Sequence, residues 1–140
     1  MRDKGGITQT DYAALAAFRH ALRRFTAFSA DAAQAAGLTP QQHQALLAIK
    51  GSPAGESVGV GDIAKSLLIR PQSAVELVDR LMALGLVARA ADPADHRRVQ
   101  VVLTPRAEAT LEQLSADHLR ELRAIRPALL SLLQLFEPEA

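Results

Sequence analysis

Arg97 and Arg98 stand side by side, next to His96, in a short charged stretch between turn-forming residues and a β-rich run. A guanidinium is a planar fork of donors that suits phosphate and the negative potential of a narrow DNA groove. His96 and Arg98 are therefore candidates for phosphate contact, with plain solvation as the ordinary alternative. His96 can also titrate near neutral pH, which does not by itself make it a sensor. A second polar set, Arg70, Gln72, Ser73, Glu76 and Arg80, lies upstream in one helical stretch. Glutamine can meet adenine bidentately and serine a base edge or phosphate, while Arg70 and Arg80 suit phosphate. The ordinary alternative for this set is a solvent-exposed helix face.

Other chemistries find little support. The chain has no Cys, so disulfides, thiolate metal sites and thiol redox sensing are absent. His20, His43, His96 and His118 are scattered without metal-ligand spacing, which leaves a metal sensor as a weak alternative. No nucleophile–base arrangement is visible, and Gly59 and Gly61 are too sparse for a phosphate-cradling loop. The expectation is a protein that is not an enzyme and needs no cofactor. Neither a secretory signal nor an apolar run long enough to cross a bilayer is visible, so the default location is the cytoplasm, with no membrane partner.

These side chains need a scaffold. The 140 residues suit one domain, and the 49% apolar content, mostly Ala and Leu, favours closely packed helices. Net charge is only +1, but it is uneven: residues 65–106 carry 7 basic and 4 acidic residues, and residues 107–140 carry 3 and 6. For phosphate contact the basic middle counts more than the total.

Residues 1–9 are polar and expected to fray. Leu15, Phe18, Leu22, Phe25 and Phe28 recur at steps of three and four, predicting a helix from about Asp11 to Ala30. Thr39-Pro40 opens a short helix with Leu46, Leu47 and Ile49 inward, and the loop 51–55 closes it. Val58 and Val60 could form a short strand or lead into a helix near Gly61 to Leu67. After the tight stretch Leu68-Ile69-Arg70, Pro71 opens a helix to about Leu84 that buries Ala74, Leu77, Val78 and Leu81 and stops at Gly85. Leu86 to Arg89 and Val99 to Leu103 read as strands around a charged loop, with Val99, Val101 and Leu103 on one side. Thr104 caps a long last helix, which Pro127 should break or kink. Helix, tight turn, helix and hairpin make a helix-turn-helix with a wing. Such a unit sets its second helix in a major groove about 12 Å wide and its wing on a neighbouring minor groove.

Residues 62–104 resemble the MarR family of bacterial winged helix-turn-helix transcription regulators. DIAKSLLIRPQSAVELVDRLMALGLVAR looks like the family's helix-turn-helix, and DPADHRRVQVVLT like its wing and closing strand. The resemblance implies a mainly α fold with a small β-hairpin. It implies one domain over 1–140, with a DNA-binding lobe at 38–104 and dimerisation helices at 10–36 and 105–136. It implies that Asp95 pairs with Arg97, which reaches the minor groove, and that Asp79 fixes a neighbouring Arg. A physical account is that the carboxylate pre-orients the guanidinium; the alternative is an exposed ion pair worth about 0.2–1 kcal/mol. The chain departs from the family where Val75 and Glu76 stand. Val75 could pack on a thymine methyl, and Glu76 could accept from cytosine N4 or repel phosphate.

The resemblance also implies a homodimer on a pseudo-palindromic double-stranded operator. Phe18, Leu22, Phe25, Leu129, Leu132, Leu133 and Phe136 are candidates for the dimer core, or for intrachain packing. It further implies repression relieved by a small ligand, often phenolic or otherwise aromatic. Tyr12, Arg19, His20, Arg23 and His43 are candidate lining residues for that ligand, or simply surface groups. The competing function is a winged-helix protein-interaction module without specific DNA binding, motivated by Glu76 and the low total charge.

Overall fold

The computed structural model describes residues 6–54 and 56–138. Residues 1–5 of the polar start, and Gly55 of the first loop, lie outside the described residues. In chain order the elements are α1 (Gln9–Ala35), α2 (Pro40–Lys50), α3 (Val60–Leu67), α4 (Pro71–Ala83), β1 (Val87–Ala91), β2 (Val99–Leu103) and α5 (Pro105–Gln134). The fold is mainly helical with one antiparallel hairpin, as expected.

Local chemistry sets the helix starts. Thr8 and Asp11 exchange capping hydrogen bonds of 3.2 and 2.9 Å, so α1 begins earlier than Asp11. It continues past Ala30 because the alanine-rich run keeps helix propensity until Gly37, whose φ of 80° turns the chain. Thr39 and Gln42 form the same reciprocal cap on α2. Thr104 caps α5, accepting from Ala107 N–H, and its hydroxyl lies 2.8 Å from the carbonyl of Gly85. One side chain therefore ties the end of α4 to the start of α5.

The core belongs to the lobe formed by α2, α3, α4 and the hairpin root. Leu46, Ile63, Val78 and Leu81 are its largest fully buried side chains, and Leu111 and Leu114 of α5 close it. The inner face of α2 is Gln42, His43, Ala45 and Leu46; Leu47, expected inside, is half exposed. Positions 42, 45, 46 and 49 follow the three- and four-residue steps of one face, and 47 falls off it.

Of the two readings of Val58 and Val60, the lead into a helix holds: Val60 opens α3, and the carbonyl of Val58 accepts from Val101 N–H at 2.7 Å. Two further expectations change. Within β2, Val101 is buried but Val99 is exposed, because the hairpin has already left the lobe at its tip. Finally, α5 runs through Pro127 as one helix. The carbonyl left without its donor is that of Arg123, and both residues are exposed, so water can satisfy it.

Along α1 the fully buried residues are Ala14 and Ala33, not the large apolar stripe. Phe18 packs edge-on against Phe136 of the same chain, ring centroids 5.8 Å apart. Leu15, Leu22, Leu119 and Leu133 remain about half exposed. The terminal helices thus pack on each other and still present an uncovered apolar face.

Candidate nucleic-acid interface

Pro71 starts α4 with φ already helical, and Arg70 occupies its N-cap position. Burial of Ala74, Leu77, Val78 and Leu81 fixes the rotation of this helix. The opposite face then carries Gln72, Ser73, Glu76 and Arg80, all exposed. At 3.6 residues per turn these four share about a third of the circumference. Ser73, Glu76 and Arg80 also line an open cleft of about 470 Å³ against Thr39 and Gln41 at the start of α2. Val75 is half-buried at the edge of this face.

The preceding turn is strained. Leu68 adopts the left-handed conformation at φ 56° and is 92% exposed. Ile69 N–H then reaches the carbonyl of Ala64 at 3.0 Å, which closes α3 and aims α4. After α4, Gly85 takes φ 73°, Leu86 N–H bonds the carbonyl of Leu81, and Arg106 donates to the carbonyl of Leu84. Asp79 of α4 holds Arg89 of β1 at 3.0 Å, so the reading helix and the first wing strand are joined by an ion pair.

The hairpin pairs Val87 with Leu103 and Ala91 with Val99, and 92–98 form its tip. Asp95 accepts from both the backbone N–H of Arg97 and its Nε, at 3.1 and 3.3 Å. The Arg97 side chain is 93% exposed, so the fork is braced at one end and open at the other. His96 beside it is exposed. Arg98 meets Asp62 of α3 at 3.1 Å.

The wing root carries two buried-side anchors. Ser57 donates to Asp92 at 2.6 Å, and Ala94 N–H reaches the same carboxylate at 2.8 Å. The Ser57 hydroxyl, then the Ala94 N–H, hold the Asp92 carboxyl below its ordinary range, although burial pushes it the other way. Neither Ser57, Asp62 nor Asp92 stood out in the sequence. Asp62 had one signal, an acidic residue three positions after Gly59, where it accepts the Gly59 N–H at 2.9 Å as a helix cap.

The proposed ligand-lining residues do not share one environment. Tyr12, Arg19, His20 and Arg23 are exposed along α1. His43 is instead buried, its ring 4.9 Å from that of His118 on α5. His118 Nδ1 lies 2.7 Å from the carbonyl of Leu114, so that nitrogen donates, and Nε2 faces the Ser29 hydroxyl at 2.8 Å. Phe25 and Phe28 pack edge-on against His118. His43 Nδ1 is buried with no hydrogen-bond partner, and burial, then repulsion from His118, lowers its pKa below 6.5. Sequence spacing gave no hint of this pair, since the two rings are 75 positions apart on different helices.

Residues 36–98, from the end of α1 to the wing tip, match the model of the MarR family. Over this stretch, 63 of the 140 residues, the chain is similar to the MarR family. Solved structures agree in fold over most of the chain. A MarR family protein from Bacillus stearothermophilus is 21% identical, with 86% of this chain and 82% of that one covered and a TM-score of 0.73. AbsC, a MarR family transcriptional regulator from Streptomyces coelicolor, is 21% identical, with 89% and 83% covered and a TM-score of 0.72. BpsR from Bordetella bronchiseptica, whose DNA binding is regulated by 6-hydroxynicotinic acid, is 24% identical, with 97% and 100% covered and a TM-score of 0.62. No curated protein matches the sequence. Among the described residues no helix is long and apolar enough to cross a membrane.

Proposed function

We propose that this chain is of the MarR family and is a homodimeric, sequence-specific reader of double-stranded DNA that represses transcription until a small ligand lowers its affinity. The observation that carries the reading is the presence of two exposed polar surfaces on one lobe. One is the Gln72, Ser73, Glu76 and Arg80 face of α4, with Arg70 at its start; the other is Arg97, braced by Asp95. In this reading α4 contacts base edges and phosphates in the major groove, and Arg97 enters the adjacent minor groove with His96 near phosphate.

The uncovered apolar surface of α1 and α5 supports a second copy as the partner. Two-fold pairing would cover Leu22 and Leu133 and present two α4 helices to half-sites one helical turn apart, about 34–36 Å. Ligand relief rests on the fold shared with BpsR, whose DNA binding responds to an aromatic acid. A ligand acts only if it prefers one dimer geometry to another. Tyr12, Arg19, His20 and Arg23, exposed on α1, are the residues this reading places near it, with His43 in the interior.

Glu76 on the reading face favours one competing reading, a protein-interaction module. Selection of bound duplexes from a random pool, followed by equilibrium binding at stated salt, separates the two. Enrichment of a pseudo-palindromic site supports the DNA reader; no enrichment, with binding equal on all sequences, supports the alternative.

A further inference from the structure

We propose that Asp62 and Ser57 are positioning residues for DNA binding, which clamp the root of the wing to α3, and that Arg98 acts as their strut and not as a phosphate contact. This rests on the DNA-binding reading above.

A two-stranded hairpin is a poor lever on its own. Isolated hairpins are marginal in water, and this one has a seven-residue tip, 92–98, beyond its last strand pair. Arg97 can hold a defined place over a minor groove only if that tip is fixed relative to α4. Three bonds from one short stretch of chain supply the fixing. Val58 offers its carbonyl to Val101 N–H at 2.7 Å. Ser57 donates to Asp92 at 2.6 Å, at the residue after the first strand ends. Asp62 holds Arg98 at 3.1 Å, at the residue before the second strand begins. The two side-chain anchors therefore grip both legs of the hairpin at its neck.

Asp62 is itself fixed. The same oxygen that meets Arg98 accepts the Gly59 N–H at 2.9 Å and so belongs to the N-terminal cap of α3. Carboxylates at a helix N-terminus are favoured by the helix dipole, which helps to hold Asp62 in place. The Arg98 guanidinium is held by Asp62 of α3, whereas the Arg97 side chain is 93% exposed. Neighbouring arginines of the wing thus have opposite tasks. Arg97 is free at its fork, and Arg98 is spent on holding the neck. Its pair is about half exposed, so its stabilising effect on the fold is small. Orientation, and with it affinity, is what such a pair controls.

The chain has no Cys, so a single Ala94→Cys carries a nitroxide at the wing tip without competing labels. In this labelled protein, Asp62→Asn keeps the shape of the cap but removes the charge that holds Arg98, and Ser57→Ala removes the second anchor. Both are expected to increase label mobility while leaving the thermal midpoint nearly unchanged. With unlabelled protein, Asp62→Asn and Arg98→Gln should each weaken binding to the selected duplex on the order of fivefold. The double variant should weaken it no more than either single one, and the dependence of log affinity on log salt should keep its slope. A lost phosphate contact would instead reduce that slope by about one. Unchanged label mobility in Asp62→Asn overturns the clamp, and a reduced slope in Arg98→Gln overturns the strut. If the wild type prefers no sequence, the DNA reading fails while the mobility measurement still decides the clamp.

Discussion

Among the described residues Arg97 is braced by Asp95 alone, and almost all of its side chain is in water. Such a group contributes little to folding and much to a polyanionic partner. Arg97→Ala should weaken specific DNA binding by about 1–3 kcal/mol, roughly a 5- to 150-fold loss, with unchanged circular dichroism and oligomeric state. Fluorescence anisotropy against the selected duplex reads the loss. His43 makes the opposite case, a titratable ring whose effect lies in folding. Its folded pKa is lowered, so between that value and 6.5 the unfolded chain binds the proton that the folded chain refuses. Stability therefore rises with pH through this window and is lost as pH falls below 6.5. Urea unfolding should show a falling midpoint on acidification, and His43→Phe should flatten that dependence.

The strand and helix order was open to sequence reasoning because each boundary is made by local chemistry. Thr39-Pro40, Pro71, Gly85 and Thr104 all act within a few residues of themselves, and the structure has a helix start or stop at each. What escaped was non-local. Leu47 looks apolar enough for the core, but only packing on two sides of α2 decides that Gln42 and His43 take the inner face. Pro127 looked like a break because its cost depends on whether Arg123 can reach water, which sequence does not show. At the site, Asp95 and Arg97 are two positions apart and were legible, whereas Ser57–Asp92 and Asp62–Arg98 join residues 35 and 36 positions apart. At the turn between α3 and α4, the left-handed Leu68 costs the fold energy without packing in return, since its side chain is exposed. Leu68→Gly should raise stability by about 0.5–1 kcal/mol after the added entropy of the unfolded chain is counted. A lower thermal midpoint would contradict this account of the turn.

The molecule as a whole is a closed lobe carried on helices that are not closed. Leu22 and Leu133 stay half exposed, and even the Phe18–Phe136 contact leaves Phe136 at 42%. Fully burying a leucine is worth about 1.5–3 kcal/mol, and a side chain on a two-fold axis counts once from each subunit. Leu133→Asp should therefore raise the dimer dissociation constant by at least two orders of magnitude, as read by sedimentation equilibrium. It should weaken operator binding in step, because a monomer presents only one α4 to the duplex. An unchanged dimer would place the interface elsewhere on α1 and α5.

The central claim is that α4 and the Arg97 wing read one DNA sequence in preference to others. Competition of the wild-type protein between its selected duplex and a scrambled one, at about 150 mM salt, tests it directly. The account predicts a preference of about 10³-fold or more. Equal affinity for the two duplexes, with the protein folded and dimeric, would contradict it.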